Sequence, residues 1–372
     1  MTARTRRVWT LAPSRFAVLS RGRARLAWLA LLVLLLASLT ALSVPSLTGD
    51  GDAAARTADR MTDIGLYERV VASMKGGDPY YVAASDAMRA GGYPLHPFLT
   101  MRLPALAAVE AALPGWASIG LLLALAALTA VAWASRVGAT LTGLFPRAVM
   151  VLLLAASMLA FFQPGLVLFH EVWAGLLVAL SLALRRPGRA LEAIALGFAA
   201  MLIRETAALY VVVMLIFAWG EDRRGEALGW GVALLLFGGV LGLHAHAVAG
   251  VTGPLDPHSA GWAAFNGPGF FVRALVTATA LQALPIVAGA LLVALALFGW
   301  ASWDDPLGLR MFALLIAYGT VIALFARLDN FYWALMIAPA ALLGLVFLPD
   351  ALTDLWHRAL DRRRITVTTV TP

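Results

Sequence analysis

Apolar residues fill Leu26 to Val44 almost without interruption, a run long enough to span a bilayer. Comparable blocks follow at Trp116–Trp133, Ala148–Phe162, the stretch ending at Leu184, Ala190–Trp219, Ala227–Val248, Phe270–Trp300, Leu307–Phe325 and Phe331–Leu348. Short polar or Arg-bearing turns separate them, so the pattern predicts an all-α polytopic membrane protein. Two blocks need dividing. Ala190–Trp219 as one helix would put Arg223 and Arg224 on the side opposite the other arginines, whereas a hairpin broken at Arg204-Glu205 returns them. Each arm is then roughly 22 Å long against a hydrocarbon core of roughly 30 Å, so the Arg204-Glu205 tip is expected below the outer surface. Phe270–Trp300 is too long for an upright span, and Pro285 divides it into an interfacial helix and a span. The count is then about ten transmembrane helices.

The longest polar interruption runs from Thr57 to Trp116, and its punctuation predicts short amphipathic helices. Asp59 caps a helix through Asp63, Tyr67, Val70 and Met74 that stops at Gly76-Gly77. Asp78-Pro79 starts a second with Asp78 as its cap, and Gly91-Gly92 ends it. The prolines of Tyr93-Pro94-Leu95-His96-Pro97 exclude regular helix there. Pro104 to Leu113 then reads as an apolar helix leading to Pro114-Gly115-Trp116. The chain divides into a basic cytoplasmic N-terminus (1–25), an integral membrane domain (26–348) whose outer loop covers 45–115, and a cytoplasmic tail (349–372).

Composition sharpens this reading. The 372-residue chain is 61% hydrophobic and 13% charged, with a formal charge of +7 that comes almost wholly from arginine. Arg4, Arg6, Arg7, Arg15, Arg21, Arg23 and Arg25 precede the first span and put the N-terminus in the cytoplasm. That distribution reports orientation and gives no reason to expect nucleic acid as a partner. The N-terminus resembles a signal peptide, but its apolar stretch is long enough to span and has no convincing small-residue cleavage site, so it reads as a retained first helix. Without cysteine there is no disulfide framework, thiolate metal site or cysteine nucleophile.

Ionisable residues gather on the outer side: Asp63 in the loop, His170-Glu171 at the outer end of a span, Arg204-Glu205 at the hairpin tip, and Arg327 with Asp329. Charges at such depth are costly unless paired or hydrated, and they mark a site. Asp63 caps nothing inside its helix, where Asp is a poor helix former, and Tyr67 one turn on shares its face. A carboxylate can take a proton from a hydroxyl, while guanidinium groups hold a phosphate and stabilise it as it leaves. Structural alternatives stand beside these readings: a solvated position for Asp63, a span-joining pair for His170 and Glu171, mutual neutralisation for Arg204 and Glu205, and headgroup anchoring for Arg327 and Asp329. His96, between prolines in an exposed loop, suits a substrate or a surface role. His244 and His246 point in different directions on one helix, which favours packing over a metal site. Asp256-Pro257-His258 reads as turn chemistry.

Asp63 with Tyr67 one turn on, then Gly76-Gly77-Asp78-Pro79-Tyr80-Tyr81, Tyr93-Pro94-Leu95-His96-Pro97 and Leu103-Pro104-Ala105-Leu106-Ala107, resembles the first outer loop of the GT-C superfamily of membrane glycosyltransferases. The nearest branch looks like the bacterial polyprenyl-phosphate-sugar-dependent mannosyltransferases of the cell envelope, and the Arg204-Glu205 and Arg327–Tyr332 patterns fit it. The resemblance implies a GT-C-like fold around a cavity open to the outer side of the bacterial cytoplasmic membrane. It implies an inverting, metal-independent transfer without a cofactor, from a polyprenyl-phosphate sugar to a hydroxyl of a glycan, glycolipid or protein. Asp63 would be the base, with Tyr67, Tyr80, His96, His170, Glu171, Arg204, Glu205, Arg327 and Asn330 around the substrates, and Arg204, Arg327 and His170 facing the leaving phosphate. No second carboxylate stands out close to Asp63, in keeping with the metal-independent branches. The competing reading is a transporter or flippase of a lipid-linked or anionic substrate, using the same arginines only for binding.

Overall fold

A computed structural model describes residues 9–45, 47 and 63–360; the predicted cap Asp59 lies outside them. Among the described residues the elements are helical and no β-strand forms. Six helices are long and apolar enough to cross a membrane: Arg21–Ser43, Gly115–Gly138, Leu144–Phe162, Arg224–Ala249, Pro306–Phe325 and Ala338–Leu360. Shorter apolar helices complete the bundle, and the chain is a polytopic α-helical membrane protein.

In order, α1 (Arg21–Ser38) leads to the polar loop and its helices α2 (Asp63–Lys75), α3 (Tyr80–Ala90) and α4 (Ala105–Ala112). The bundle continues with α5 (Gly115–Gly138), α6 (Leu144–Met158), α7 (His170–Leu184), α8 (Leu191–Ile203), α9 (Ala208–Gly220) and α10 (Arg224–Ala249). Then come α11 (Gly267–Thr277), α12 (Ile286–Ser302), α13 (Pro306–Phe325) and, after an irregular stretch, α14 (Leu348–Leu360).

The expected break at Arg204-Glu205 is present. α8 ends at Ile203, Arg204 is extended at φ −141°, ψ 114°, and α9 starts after a turn at Glu205–Ala207. The Ser181 hydroxyl donates to Ala193 O at 2.6 Å and lies 2.7 Å from Tyr210 Oη, tying α7, α8 and α9 together. At the opposite end, Arg185 forms a fork of 2.8 Å bonds to Glu226, and Arg310 donates to Glu221 at 2.7 Å. The turn between α9 and α10 therefore meets the ends of α7 and α13 that lie away from the Arg204-Glu205 break. Pro285 separates α11 from α12, as its position in the sequence predicts.

The last apolar block departs from expectation. In place of one regular α-helix, Phe331–Leu348 lies in a 3-10 segment Leu328–Met336 kinked at Asn330, a short α-helix Ala338–Ala341 and a second 3-10 segment Leu342–Phe347 that continues into α14. Pro339 has no N–H for the Leu335 carbonyl, and that freed oxygen lies against Gly175 of α7. Farther on, the backbones of the second segment and α12 touch. A Cβ on Gly299 would strike Gly344 O, and one on Gly344 would strike Ala296 O. Close backbone approach at small residues is a means by which membrane helices pack without hydrophobic drive. Gly344→Ala is expected to destabilise the protein by about 1–3 kcal/mol, as overpacked cores do. Its melting temperature in detergent would fall, whereas Gly231→Ala, with open space at its Cβ, would lose nothing.

The helix α14 docks on the N-terminal segment: the Asp350 carboxylate accepts the Trp9 and Thr10 backbone N–H groups at 3.0 and 2.7 Å. At the other end of the bundle, α2, α3 and α4 form a roof over Leu66, Val70, Ala84, Met88 and Leu95. Gly77, at φ +106°, closes α2 in a conformation that suits glycine. The Asp78 cap is corrected: Pro79 is the N-cap residue of α3, one position on, and Asp78 instead accepts the Ser73 hydroxyl at 2.6 Å. A Pro at N1 would have left Asp78 the cap; placed at the cap itself, it moves the carboxylate out of reach of the first turn.

Candidate active site

Beneath the roof lies a cavity of about 480 Å³. It gathers residues that are far apart in the chain, among them Asp63 and Tyr67 of α2, Arg102 before α4, His170 of α7, Arg204-Glu205 from the helix break, and Arg327 with Asn330 beyond α13.

Asp63 is half-buried at the start of α2, and the Tyr93 hydroxyl donates to its Oδ1 at 3.1 Å. Tyr93 comes from the proline-rich segment after α3, so the non-helical path of that segment delivers the phenol to the carboxylate. Tyr67 meets the His170 ring edge-on at a centroid distance of 4.7 Å, and its oxygen accepts a bond of 3.3 Å from Arg102 Nε. Burial raises the Tyr67 pKa against the opposing pull of Arg102, and burial likewise raises that of Tyr80, so both stay neutral phenols. The Tyr80 hydroxyl donates to Arg102 O at 2.5 Å, fixing the arginine's backbone.

The charges pair in a compact set. Arg204 is almost fully buried; its Nε donates to Glu171 Oε1 at 2.5 Å and its Nη1 to Glu205. Arg102 Nη1 stands 3.6 Å from Glu205 and keeps about 18% of its side chain exposed, which makes it the less saturated guanidinium of the two. Arg327 forks onto Asp329 at 3.1 and 2.9 Å. His170 is buried in the cavity wall with neither ring nitrogen partnered.

Several predicted residues take other places. Glu171 does not line the cavity; it stands behind Arg204 as its counter-ion, since α7 turns it into the bundle. His96 is also outside the cavity: its Nε2 lies 3.0 Å from Gly253 O and its ring stacks on His258 at 4.7 Å. It joins the roof to the loop after α10. Asn330 lines the cavity while completing a cap: its Oδ1 accepts the Arg327 N–H at 3.4 Å. His244 packs between the Tyr81 hydroxyl at 3.2 Å and Met101 O at 3.1 Å. Among the described residues no cluster of His, Asp and Glu is arranged to hold a metal ion.

Sequence reasoning missed Arg102, Tyr93 as a partner of Asp63, Glu110, Tyr332 and Trp333, all of which line the cavity. The signal for Arg102 was its position between Phe98 and Pro104, where it is the only charge. That for Glu110 was a lone carboxylate within an apolar helix. Next to the cavity an apolar recess of about 160 Å³, lined by Leu209 and Tyr318, shares Glu205, Thr206, Val321 and Trp333 with it.

The roof is fastened by Arg89, whose Nε and Nη2 donate to Asp256 at 2.9 and 2.8 Å. The Arg89 guanidinium and the Gly253 N–H hold the Asp256 carboxyl well below the usual aspartate range. The folded pKa is thus depressed. The attachment is fully present above the unfolded aspartate pKa and is lost only as the pH falls through the lowered folded value. Arg89→Ala is expected to speed amide exchange across residues 250–259 at neutral pH, read by hydrogen–deuterium exchange, with α12 and α13 unchanged.

Comparison of the chain with protein-family models, curated proteins and solved structures finds no match.

Proposed function

We propose that the protein is a glycosyltransferase of GT-C-like fold, with about ten crossings and its cavity on the outer face of a bacterial cytoplasmic membrane. It transfers a sugar from a polyprenyl-phosphate donor to an acceptor hydroxyl. The observation that carries this reading is the convergence in one cavity of a carboxylate, guanidinium groups, an unpartnered histidine and an aromatic lining. A sugar already activated as a phosphate ester needs positioning, a base and stabilisation of the leaving group. The residues present can supply all three.

In this mechanism the acceptor O–H bond breaks and its proton passes to Asp63, oriented by Tyr93. The oxygen attacks the anomeric carbon from the face opposite the phosphate, and the anomeric C–O bond breaks with its electron pair leaving on the phosphate. The configuration inverts. Arg102 and His170 are the groups best placed to receive that phosphate, because Arg204 is held by Glu171 and Glu205. Tyr67, Tyr332 and Trp333 offer aromatic faces to the sugar, and the apolar recess offers room for the first units of an isoprenoid chain. A transport pathway is the weaker reading, since the opposite end of the bundle is bolted by the Arg185–Glu226 and Arg310–Glu221 pairs.

The test is release of free polyprenyl phosphate by purified protein in liposomes, from a panel of polyprenyl-phosphate sugars, with a crude envelope fraction as acceptor. Release that depends on the acceptor is expected. No release from any donor by stably folded protein would overturn the assignment.

A further inference from the structure

Glu110 is the one cavity-lining carboxylate, among the described residues, that the mechanism leaves unused and without a cationic hydrogen-bond partner. It follows Leu106 and Ala107 by one turn of α4, and all three line the cavity on one face. The residue is only 4% exposed, and its Oε1 has no hydrogen-bond partner. The buried Ser118 hydroxyl approaches it without reaching hydrogen-bond geometry. Burial raises the Glu110 pKa, with Ser118 and Lys75 opposing in part.

Its position gives the cavity a second pole. Asp63 opens α2 and Lys75 closes it, and the Lys75 charge is the one that acts on Glu110. The cavity face of α2 runs from Asp63 through Leu66, Tyr67 and Val70 to Val71, about 12 Å at the helical rise. That length exceeds what one sugar ring at Asp63 occupies. A buried unpaired carboxyl is costly, and ligand groups that bond it recover that cost. Sugar hydroxyls suit it, because a hydroxyl can donate to a carboxyl oxygen without bringing a counter-charge, and the Lys75 charge already acts on Glu110.

We propose that Glu110 marks a second acceptor subsite, which hydrogen-bonds the hydroxyls of a sugar ring one unit removed from the ring that reacts at Asp63. The acceptor is then a chain of at least two sugars. This rests on the reading of the cavity as a sugar-transfer site, but binding tests it apart from turnover.

The experiment follows tryptophan fluorescence, since Trp262 and Trp333 line the cavity, during titration of detergent-solubilised protein with methyl glycosides of mannose, glucose and galactose and their disaccharides. In wild type the disaccharide of the preferred sugar is expected to bind on the order of tenfold more tightly than the monosaccharide, and Glu110→Leu to lose that gain while keeping monosaccharide affinity. Absence of the gain in wild type, or its persistence in Glu110→Leu, overturns the proposal. A second measurement needs no variant. Labelling of wild-type Glu110 by dicyclohexylcarbodiimide, an apolar carboxyl reagent, is expected to be blocked by the disaccharide and not by the monosaccharide. Equal or absent labelling counts against the subsite. Failure of donor turnover with an intact disaccharide gain would remove the transfer reaction and leave the subsite standing.

Discussion

Asp63→Asn is expected to lower acceptor-dependent release of polyprenyl phosphate by roughly 10²–10⁴-fold, the usual contribution of a positioned general base. The change is close to isosteric, and an amide oxygen at this position still accepts the Tyr93 hydroxyl, so the carboxylate's one described bond is preserved. What disappears is the capacity to take the acceptor proton. Melting temperature in detergent should therefore match wild type, because a half-buried residue at the first turn of α2 contributes little to the roof core of Leu66, Val70 and Met88. Donor affinity should also stay near wild type, since the phosphate is assigned to Arg102 and His170. A folded variant that releases polyprenyl phosphate at the wild-type rate would move the base to another residue of the same wall and leave the reaction class intact. Loss of release together with a lowered melting temperature would show that Asp63 holds the roof, and the assignment would fall.

Much of this site was legible because physics marks charge in apolar surroundings. Arg204-Glu205 stood out by the length and orientation of the block that contains it, and the helix does break there. Asp63 with Tyr67, His170, and Arg327 were read from three separate stretches of the chain, and one cavity holds them all. Other parts were hidden for definable reasons. Whether His170 or Glu171 faces the cavity depends on the rotation of α7, which its nearly uniform apolarity does not encode. His96 was ambiguous until the loop after α10 supplied His258 and Gly253, a pairing between segments with no common sequence pattern. The 3-10 winding of Leu342–Phe347 follows from the backbone approach of Gly344 to α12, a tertiary event that hydropathy cannot register. Arg102 escaped because a lone arginine near helix breakers looks like a surface residue. Only the fold brings it to Tyr67 and Glu205.

The second large effect is expected at Glu171. Arg102 and Arg204 face Glu171 and Glu205 across a few ångströms, so this group of charges balances. Glu171→Leu leaves two guanidinium groups to share one carboxylate at a site where Arg204 is about 2% exposed. Removing one partner of a buried pair costs about 3–5 kcal/mol, because the remaining charge keeps its desolvation penalty. The variant should melt far below wild type in detergent and yield little folded protein. Adding Arg204→Leu to it removes the orphan and leaves Arg102 and Glu205 as a balanced pair 3.6 Å apart. The double variant is therefore expected to recover most of the lost stability, since a buried pair replaced by apolar side chains of similar volume is often neutral. It also removes the buried Glu171 Oε2, which has no hydrogen-bond partner. A double variant destabilised by as much as Glu171→Leu and Arg204→Leu added together would mean that the two residues stabilise the bundle independently. Turnover then separates structure from chemistry. With Arg102 and His170 carrying the phosphate contact, the refolded double variant should release polyprenyl phosphate. If stability returns and release does not, Arg204 itself must reach the leaving group, and its bonds to Glu171 and Glu205 are the form it takes before the donor arrives.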